Sequence, residues 1–259
     1  MGTFLFHNVV FGPVLSRRLG LSLGINLLPL NRKICNFNCI YCECGWTEAA
    51  VIPENEYPPR ELVKEKLIER LKELAEQQHL PEAITFAGNG EPTLHPLFSE
   101  IIDDTIEARN IFAPDAKVTV LSNASGIVND KIFEALKKID NNILKLDAGS
   151  QETLAKINRP LSECNLELLT DRMKSFHGKM IIQSLFLRGE VDGIPVDNVS
   201  DEEIKLWLKI VCEVKPSLVM IYPVARSTPG GGIEKVSREE LEAIAARVNA
   251  CGIETMVVN

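Results

Sequence analysis

Residues 22–42 read SLGINLLPLNRKICNFNCIYC: an apolar, strand-like run over 22–28 passes into a loop that carries Cys35, Cys39 and Cys42. The spacing is C-x3-C-x2-C. Three thiolates held this closely can wrap one cubane iron–sulfur cluster and leave its fourth iron without a protein ligand. That open position carries the functional meaning. A cluster closed by four cysteines shuttles electrons, whereas one held by three can bind a substrate. The alternative is a zinc knuckle that recruits Cys44. Only Glu43 separates Cys42 from Cys44, however, and structural zinc takes two well-spaced cysteine pairs. Cys44 is therefore expected to be a bystander.

Downstream of that loop, helix-like and strand-like segments alternate. Residues 60–77 set Val63, Leu67, Leu71 and Leu74 on one stripe among Glu, Lys and Arg, the period of an amphipathic helix. Apolar runs at 83–87, 117–121, 143–146, 180–187 and 218–224 read as strands, the second (KVTVL) by its β-branched residues. Helical stretches are expected over 97–113, 130–139, 154–174, 200–214 and from 237 to about 252. Ser200 with Glu203 has the capping-box pattern that opens a helix, and Ser237 with Glu240 caps the last one. Residues 253–258 offer one more strand. Six βα units with near-continuous apolar strands imply a parallel sheet covered by helices. Six units suit an open, partial (βα)6 TIM-like barrel in the α/β class; a doubly wound sheet is the competing layout. One domain over 1–259 is expected, with 1–21 as an N-terminal extension, 22–236 as the barrel core and 237–259 as a C-terminal helix and extra strand.

Composition sets limits on function. The chain has 36 acids against 28 bases, a formal charge of −8 over 259 residues. This argues against a broadly basic nucleic-acid face, though not against a local patch. Apolar and charged contents of 45% and 25% are those of a folded globular protein. No stretch approaches the ~18 apolar residues of a membrane span. The odd count of seven cysteines, with one tight cluster, reads as a metal site in a reducing compartment rather than a disulfide scaffold. Cys212 and Cys251 fall in helical stretches and are expected to be small core fillers. Ser16-Arg17-Arg18 imitates a twin-arginine export signal, but no small-residue cleavage site follows, and Phe6 breaks a myristoylation motif at Gly2. The cytoplasm is the expected location.

A second signal is Gly88-Asn89-Gly90-Glu91-Pro92, directly after the 83–87 strand. A dinucleotide fingerprint would need a third glycine where Thr93 stands, and a carboxylate beside the second glycine repels phosphate. Glycines that bare the backbone next to an acid suit an ammonium group better; a plain strand-to-helix turn is the alternative. Further polar residues sit where later strands end: Ser122 and Asn123, Lys145 and Asp147, Gln183 and Ser184. In a barrel of parallel strands the carboxyl-end rim is where ligands gather. Asp147 can accept ribose hydroxyls as acids do in other nucleotide sites.

The cysteine triplet, with Tyr41 before its last member, resembles the signature of the radical SAM enzymes. Gly88 to Glu91 resembles that superfamily's glycine-glycine-glutamate motif, with Asn89 at its centre. The resemblance implies a [4Fe-4S] cluster on Cys35, Cys39 and Cys42. It also implies S-adenosylmethionine chelating the open iron, with its amino group held by the Gly88–Glu91 strand. Tyr41, Gly88, Asn89, Gly90, Glu91, Ser122, Asn123, Asp147 and Gln183 become the candidate cofactor-binding residues. A one-electron donor of flavodoxin or ferredoxin type is implied, as is a 5′-deoxyadenosyl radical that removes a hydrogen atom from an unidentified substrate.

Phe11-Gly12-Pro13, Ser16 to Gly20, Leu146 to Gly149, Ile157 to Pro160 and Tyr222 to Pro229 resemble one subgroup. It contains the wyosine-forming tRNA-modifying enzymes and short bacterial relatives. This chain departs from the former: no cysteine precedes Cys35 to bind a second cluster, a flavodoxin-like domain is missing, and the charge is acidic. A tRNA-base-modifying enzyme of the wyosine type stays open as the alternative, beside a non-enzymatic iron–sulfur or zinc protein, but a nucleic-acid substrate is not supported by charge. Arg17, Arg18, Asn158, Arg159 and Arg226 are the candidate substrate residues, the four arginines as an anion-binding group at the barrel mouth; the alternative for each is a solvated structural arginine. Gly230 to Gly232 read either as a lid hinge or as a plain loop.

Overall fold

The computed structural model describes residues 4–47, 52–225 and 228–258. Its sheet begins with an antiparallel hairpin, β1 (Val10–Ser16) and β2 (Gly20–Ile25). From β2 onward the main path is parallel: β3 (Ala83–Phe86), β4 (Lys117–Ser122), β5 (Asn141–Lys145), β6 (Ile181–Val191), β8 (Leu218–Pro223) and β10 (Thr255–Val257) follow in spatial order. Two short strands, β7 (Ile194–Asp197) and β9 (Ile233–Lys235), flank the far end of β6 antiparallel. The six strands expected from apolar runs are β2, β3, β4, β5, β6 and β8, and β10 adds the extra one. Within residues 4–21, read from sequence as an N-terminal extension, the structure has β1 and the start of β2.

The helices between strands form the outer layer: α1 (Arg60–Glu76), α2 (Phe98–Phe112), α3 (Asp130–Leu136), α4 (Gln151–Ile157), α5 (Leu166–Lys174), α6 (Asp201–Val214) and α7 (Arg238–Asn249). Helix α1 buries Val63, Leu67, Leu71 and Leu74 against the sheet. It is held to α2 by Arg60, whose Nε lies 2.6 Å from Asp104 Oδ2, and by Lys64 at 3.1 Å from Oδ1. Burial of this apolar stripe is the dominant favourable contribution.

The inner face of the sheet is smaller and decides the shape. Ile143, Ile181 and Met220 form a buried cluster there. Leu19 from the β1–β2 turn and Met256 from β10 both pack against it. Elements from the two ends of the sheet reach one cluster only if the sheet curls, so the doubly wound layout gives way to a partial barrel.

Three local expectations need correction. The helical stretch over 154–174 is two helices, because Asn158-Arg159-Pro160 breaks it: Arg159 takes a left-handed φ of +45° and Pro160 bridges Phe37. Ser200 does cap α6, but Glu203 leaves the cap and accepts from the amides of Gly149 (2.6 Å) and Ser150 (3.0 Å); the complete capping box is Ser237–Glu240 on α7. Cys212 and Cys251 are not core fillers. They join α6 to the end of α7 as a disulfide, their Cα atoms 6.1 Å apart.

Candidate active site

The cysteine loop is laid along the carboxyl ends of the strands by backbone hydrogen bonds. Ile34 N donates to Asn89 O at 2.8 Å and Glu91 N to Ile34 O at 3.0 Å, which stitch the loop to the turn after β3. On its other side, Asn38 N donates to Asn158 O (3.1 Å) and Ile40 N to Ile157 O (3.0 Å). Cys35, Cys39 and Cys42 thereby line one cleft of about 400 Å³. Among the described residues no three His, Cys, Asp or Glu side chains converge at the spacing of a single-ion site; the three sulfurs share the cleft instead.

N–H groups already point at two of these sulfurs: Phe37 N at 3.4 Å and Asn123 Nδ2 at 3.7 Å from Cys35 Sγ, and Asn158 Nδ2 at 3.4 Å from Cys39 Sγ. Burial pushes the Cys35 thiol up to about 12, against the lowering effect of Lys33. Lys33 is itself buried, its Nζ donating to Gly45 O at 2.9 Å. Burial lowers its pKa, but the sulfurs of Cys42, Cys35 and Cys39 raise it on balance. A buried ammonium beside three sulfurs suits a nest that must carry negative charge. Cys44 also lines the cleft. Its thiol donates to Gly88 O at 3.6 Å, and its closeness to Cys42 lowers the Cys42 pKa and raises its own.

The turn after β3 is tight by necessity. Gly90 has φ +136°, and a Cβ there would lie 1.8 Å from Ile34 O. Glu91 is buried. Its Oε1 accepts from Thr93 N (3.1 Å), Thr93 Oγ1 (2.6 Å) and Ser122 Oγ (2.9 Å), while Oε2 accepts from Asn123 N at 2.6 Å. Burial raises this carboxyl above the ordinary range despite those donors. The less crowded Oε2 has capacity for a further donor. Gly88, Gly90, Ser122 and Asn123 line the cleft with it.

Asn89 turns away. Its Nδ2 donates to Phe6 O (2.9 Å) and Pro29 O (2.8 Å) and its Oδ1 accepts from Phe6 N (2.8 Å). It tethers the N-terminal segment rather than facing a ligand, which corrects its placement among cofactor residues.

Two further placements are corrected. The Asp147 carboxylate is shut in behind the cleft: it accepts from Tyr41 Oη, Asn158 Nδ2 (2.8 Å) and Leu185 N (2.8 Å), with Lys145 Nζ at 3.4 Å. It has no face turned to a ribose. Asn158 is buried, and its amide is spent on Cys39, Tyr41 and Asp147, so it braces the loop instead of meeting a substrate. Tyr41 lines the cleft and delivers its hydroxyl to that same network.

The candidate arginines separate. Arg159 pairs with Asp192 (2.9 Å) and lies over Trp46, away from the cleft. Arg18 lines the cleft, its guanidinium 5.1 Å from the centre of the Tyr222 ring, and Arg17 is beside it in an adjoining pocket. Arg226 lies outside the described residues. Gln183 reaches the cleft wall, buried, with Nε2 lacking a hydrogen-bond partner. Sequence reading missed Lys33 and the reach of Tyr222. Lys33 precedes the triplet in an otherwise apolar approach, but only the fold shows that its ammonium turns inward.

Among curated relatives, a UPF0026 protein of Helicobacter pylori (strain J99) is 35% identical over 189 residues, which is 71% of this chain and 58% of that protein. A UPF0026 protein of Synechocystis is 30% identical over 229 residues, 85% and 77% of the two chains. The chain spans between 34% and 58% of the length of the first curated relatives it matches. Among solved structures, a radical SAM methyltransferase from Sphaerobacter thermophilus superposes with TM-score 0.67 at 13% identity, covering 92% of this chain and 65% of that one. Archaeal TYW1 gives 0.51 at 16% identity, covering 88% and 71%. At such identities the likeness is one of fold. A family model described as the Radical SAM superfamily matches residues 33–217, from the lysine before the triplet to the threshold of β8, and the chain belongs to that superfamily, whose cofactors are a [4Fe-4S] cluster and S-adenosylmethionine.

Proposed function

We propose that the protein is a radical SAM enzyme that reductively cleaves S-adenosylmethionine in this cleft. The observation that carries the reading is the stitch between Ile34 and the Asn89–Glu91 backbone, which sets a three-thiolate loop and a buried carboxylate on one cavity wall. When bound, the cluster and its sulfonium partner supply one-electron cleavage of a carbon–sulfur bond and a 5′-deoxyadenosyl radical that abstracts hydrogen.

The chain's own residues do the rest. Cys35, Cys39 and Cys42 hold the cluster. Lys33 offsets the sulfurs' charge, and Phe37 N and the amides of Asn123 and Asn158 donate to them. Glu91 Oε2 receives the amino group of S-adenosylmethionine, with its own carboxylate fixed by Ser122 and Asn123. Gly88 and Gly90 allow the backbone to come close, and Tyr41 closes the side toward Asp147. Helices over the sheet keep bulk water from the outer face.

A soluble one-electron donor of flavodoxin or ferredoxin type supplies the electron, and the cluster loop's need for reduced thiols favours a cytoplasmic setting, against which the Cys212–Cys251 disulfide is the one contrary feature among the described residues. No helix among the described residues is long and apolar enough to cross a membrane. Anaerobic reconstitution with iron and sulfide, then dithionite and S-adenosylmethionine, is expected to give a brown protein and free 5′-deoxyadenosine. Cys35→Ala is expected to give neither. A colourless protein holding zinc after anaerobic purification overturns the reading.

A further inference from the structure

The cleft extends to a second, smaller pocket of about 80 Å³ at the seam between the β1–β2 turn and the carboxyl end of β8. The two share Arg18, Tyr41, Glu43, Leu185 and Tyr222. This wall differs chemically from the Glu91 wall. Arg18 lies over the Tyr222 ring, and among the described residues its guanidinium makes no ion pair. Tyr222 Oη accepts from Lys145 Nζ at 2.9 Å, which leaves its own O–H to donate. Lys145 is neutralised locally by Asp147, at 3.4 Å, so it orders the tyrosine rather than adding a free charge.

Gln183 is directly opposite Lys145 in the β5–β6 register. Its side chain is buried at 4% exposure, and Nε2 finds no acceptor. Burying an amide donor without a partner costs about 1–3 kcal/mol, so this group calls for an oxygen from a ligand. Glu43, the acid of this wall, is already engaged.

We propose that this wall is a substrate subsite for a small molecule bearing a carboxylate or phosphate. Arg18 binds the anion by the in-plane edge of its guanidinium N–H groups, while Gln183 Nε2 and Tyr222 O–H take further oxygens. Gln183 stands three strands from the β3 turn that carries Glu91, so we assign it to the substrate side and not to the cofactor. The assignment rests on reading the cleft as the S-adenosylmethionine site. The seam pocket has room for one anionic group, and a net charge of −8 disfavours a polyanion over a small molecule.

The test is calorimetric titration of the cluster-loaded protein, saturated with S-adenosylmethionine, with inorganic phosphate and separately with malonate. Saturable binding of at least one is expected, weakened at least tenfold by Arg18→Ala and at least threefold by Gln183→Leu. Arg238→Ala, on the far exposed face of α7, should leave it unchanged. The preferred probe tells which anion the subsite takes. Binding that survives Arg18→Ala, or that S-adenosylmethionine abolishes, overturns the subsite. Tight binding of a structured RNA that phosphate displaces overturns the small-molecule assignment. Wild-type protein that releases 5′-deoxyadenosine but binds neither anion sinks this inference alone. Anion binding without any cofactor cleavage sinks the proposed function instead.

Discussion

The amide of Ile34 donates to the carbonyl of Asn89 at 2.8 Å, and this bond joins the two motifs on which the chemistry depends. One motif comes from the loop after β2 and the other from the turn after β3, strands that are parallel neighbours with Ile25 opposite Phe86. Neither motif positions itself. Their relative placement is a property of the sheet.

Gly90→Ala tests that placement. A methyl group at 1.8 Å from Ile34 O, on a backbone with φ +136°, forces the two segments apart. We expect a loss of roughly 2–4 kcal/mol in urea unfolding and sharply reduced iron incorporation. Full iron loading with unchanged stability would contradict the close approach.

Cys44 separates two kinds of cluster. If three thiolates hold it, Cys44→Ala retains iron and sulfide at wild-type stoichiometry, whereas Cys35→Ala, Cys39→Ala and Cys42→Ala each lose them. Loss of the cluster in Cys44→Ala would mean a fourth thiolate closes it, and with that an electron carrier rather than an enzyme.

Glu91→Gln keeps the shape and most hydrogen bonds but removes the charge that attracts an ammonium. Binding of S-adenosylmethionine is expected to weaken by about tenfold to a hundredfold, the range of a charge-assisted hydrogen bond, while iron content holds. Equilibrium dialysis with cluster-loaded protein measures it, and equal affinity in the variant would remove Glu91 from amino-group recognition.

The α1–α2 contact should carry a pH signature. Arg60 and Lys64 hold the Asp104 carboxyl below its usual range. A folded-state pKa below the unfolded one gives stability that is present above the unfolded value, near ~3.9 for an aspartate, and lost as the pH falls through the folded value. Asp104→Asn is therefore expected to lower the urea midpoint at pH 7 and to converge on wild type as the pH falls through the folded-state value. A difference that persists in acid would show that the contact acts through packing instead.

What the sequence reveals about this site follows the range of the interactions involved. The triplet is legible because cluster chemistry demands three thiolates close together in the chain, and the amphipathic stripe of α1 is legible because its period is local. Asn89, Asp147 and Asn158 looked like ligands because each is polar and lies beside a motif. Their actual partners, Phe6, Tyr41 and Cys39, are brought to them only by the fold. β1 escaped notice because its Gly12-Pro13 interrupts any alternating pattern. The Cys212–Cys251 pair joins residues 39 positions apart, a closeness that exists only once α6 and α7 lie side by side.

The packing of Leu19 and Met256 on one inner cluster has a consequence for biosynthesis. A ribosome makes Leu19 long before Met256, so this inner cluster stays incomplete until β10 has been synthesised. Contacts between such distant parts of the chain form slowly. The inner face of the curled sheet is therefore sealed only after β10 has been made, so closure of the partial barrel waits on a meeting of its two edges.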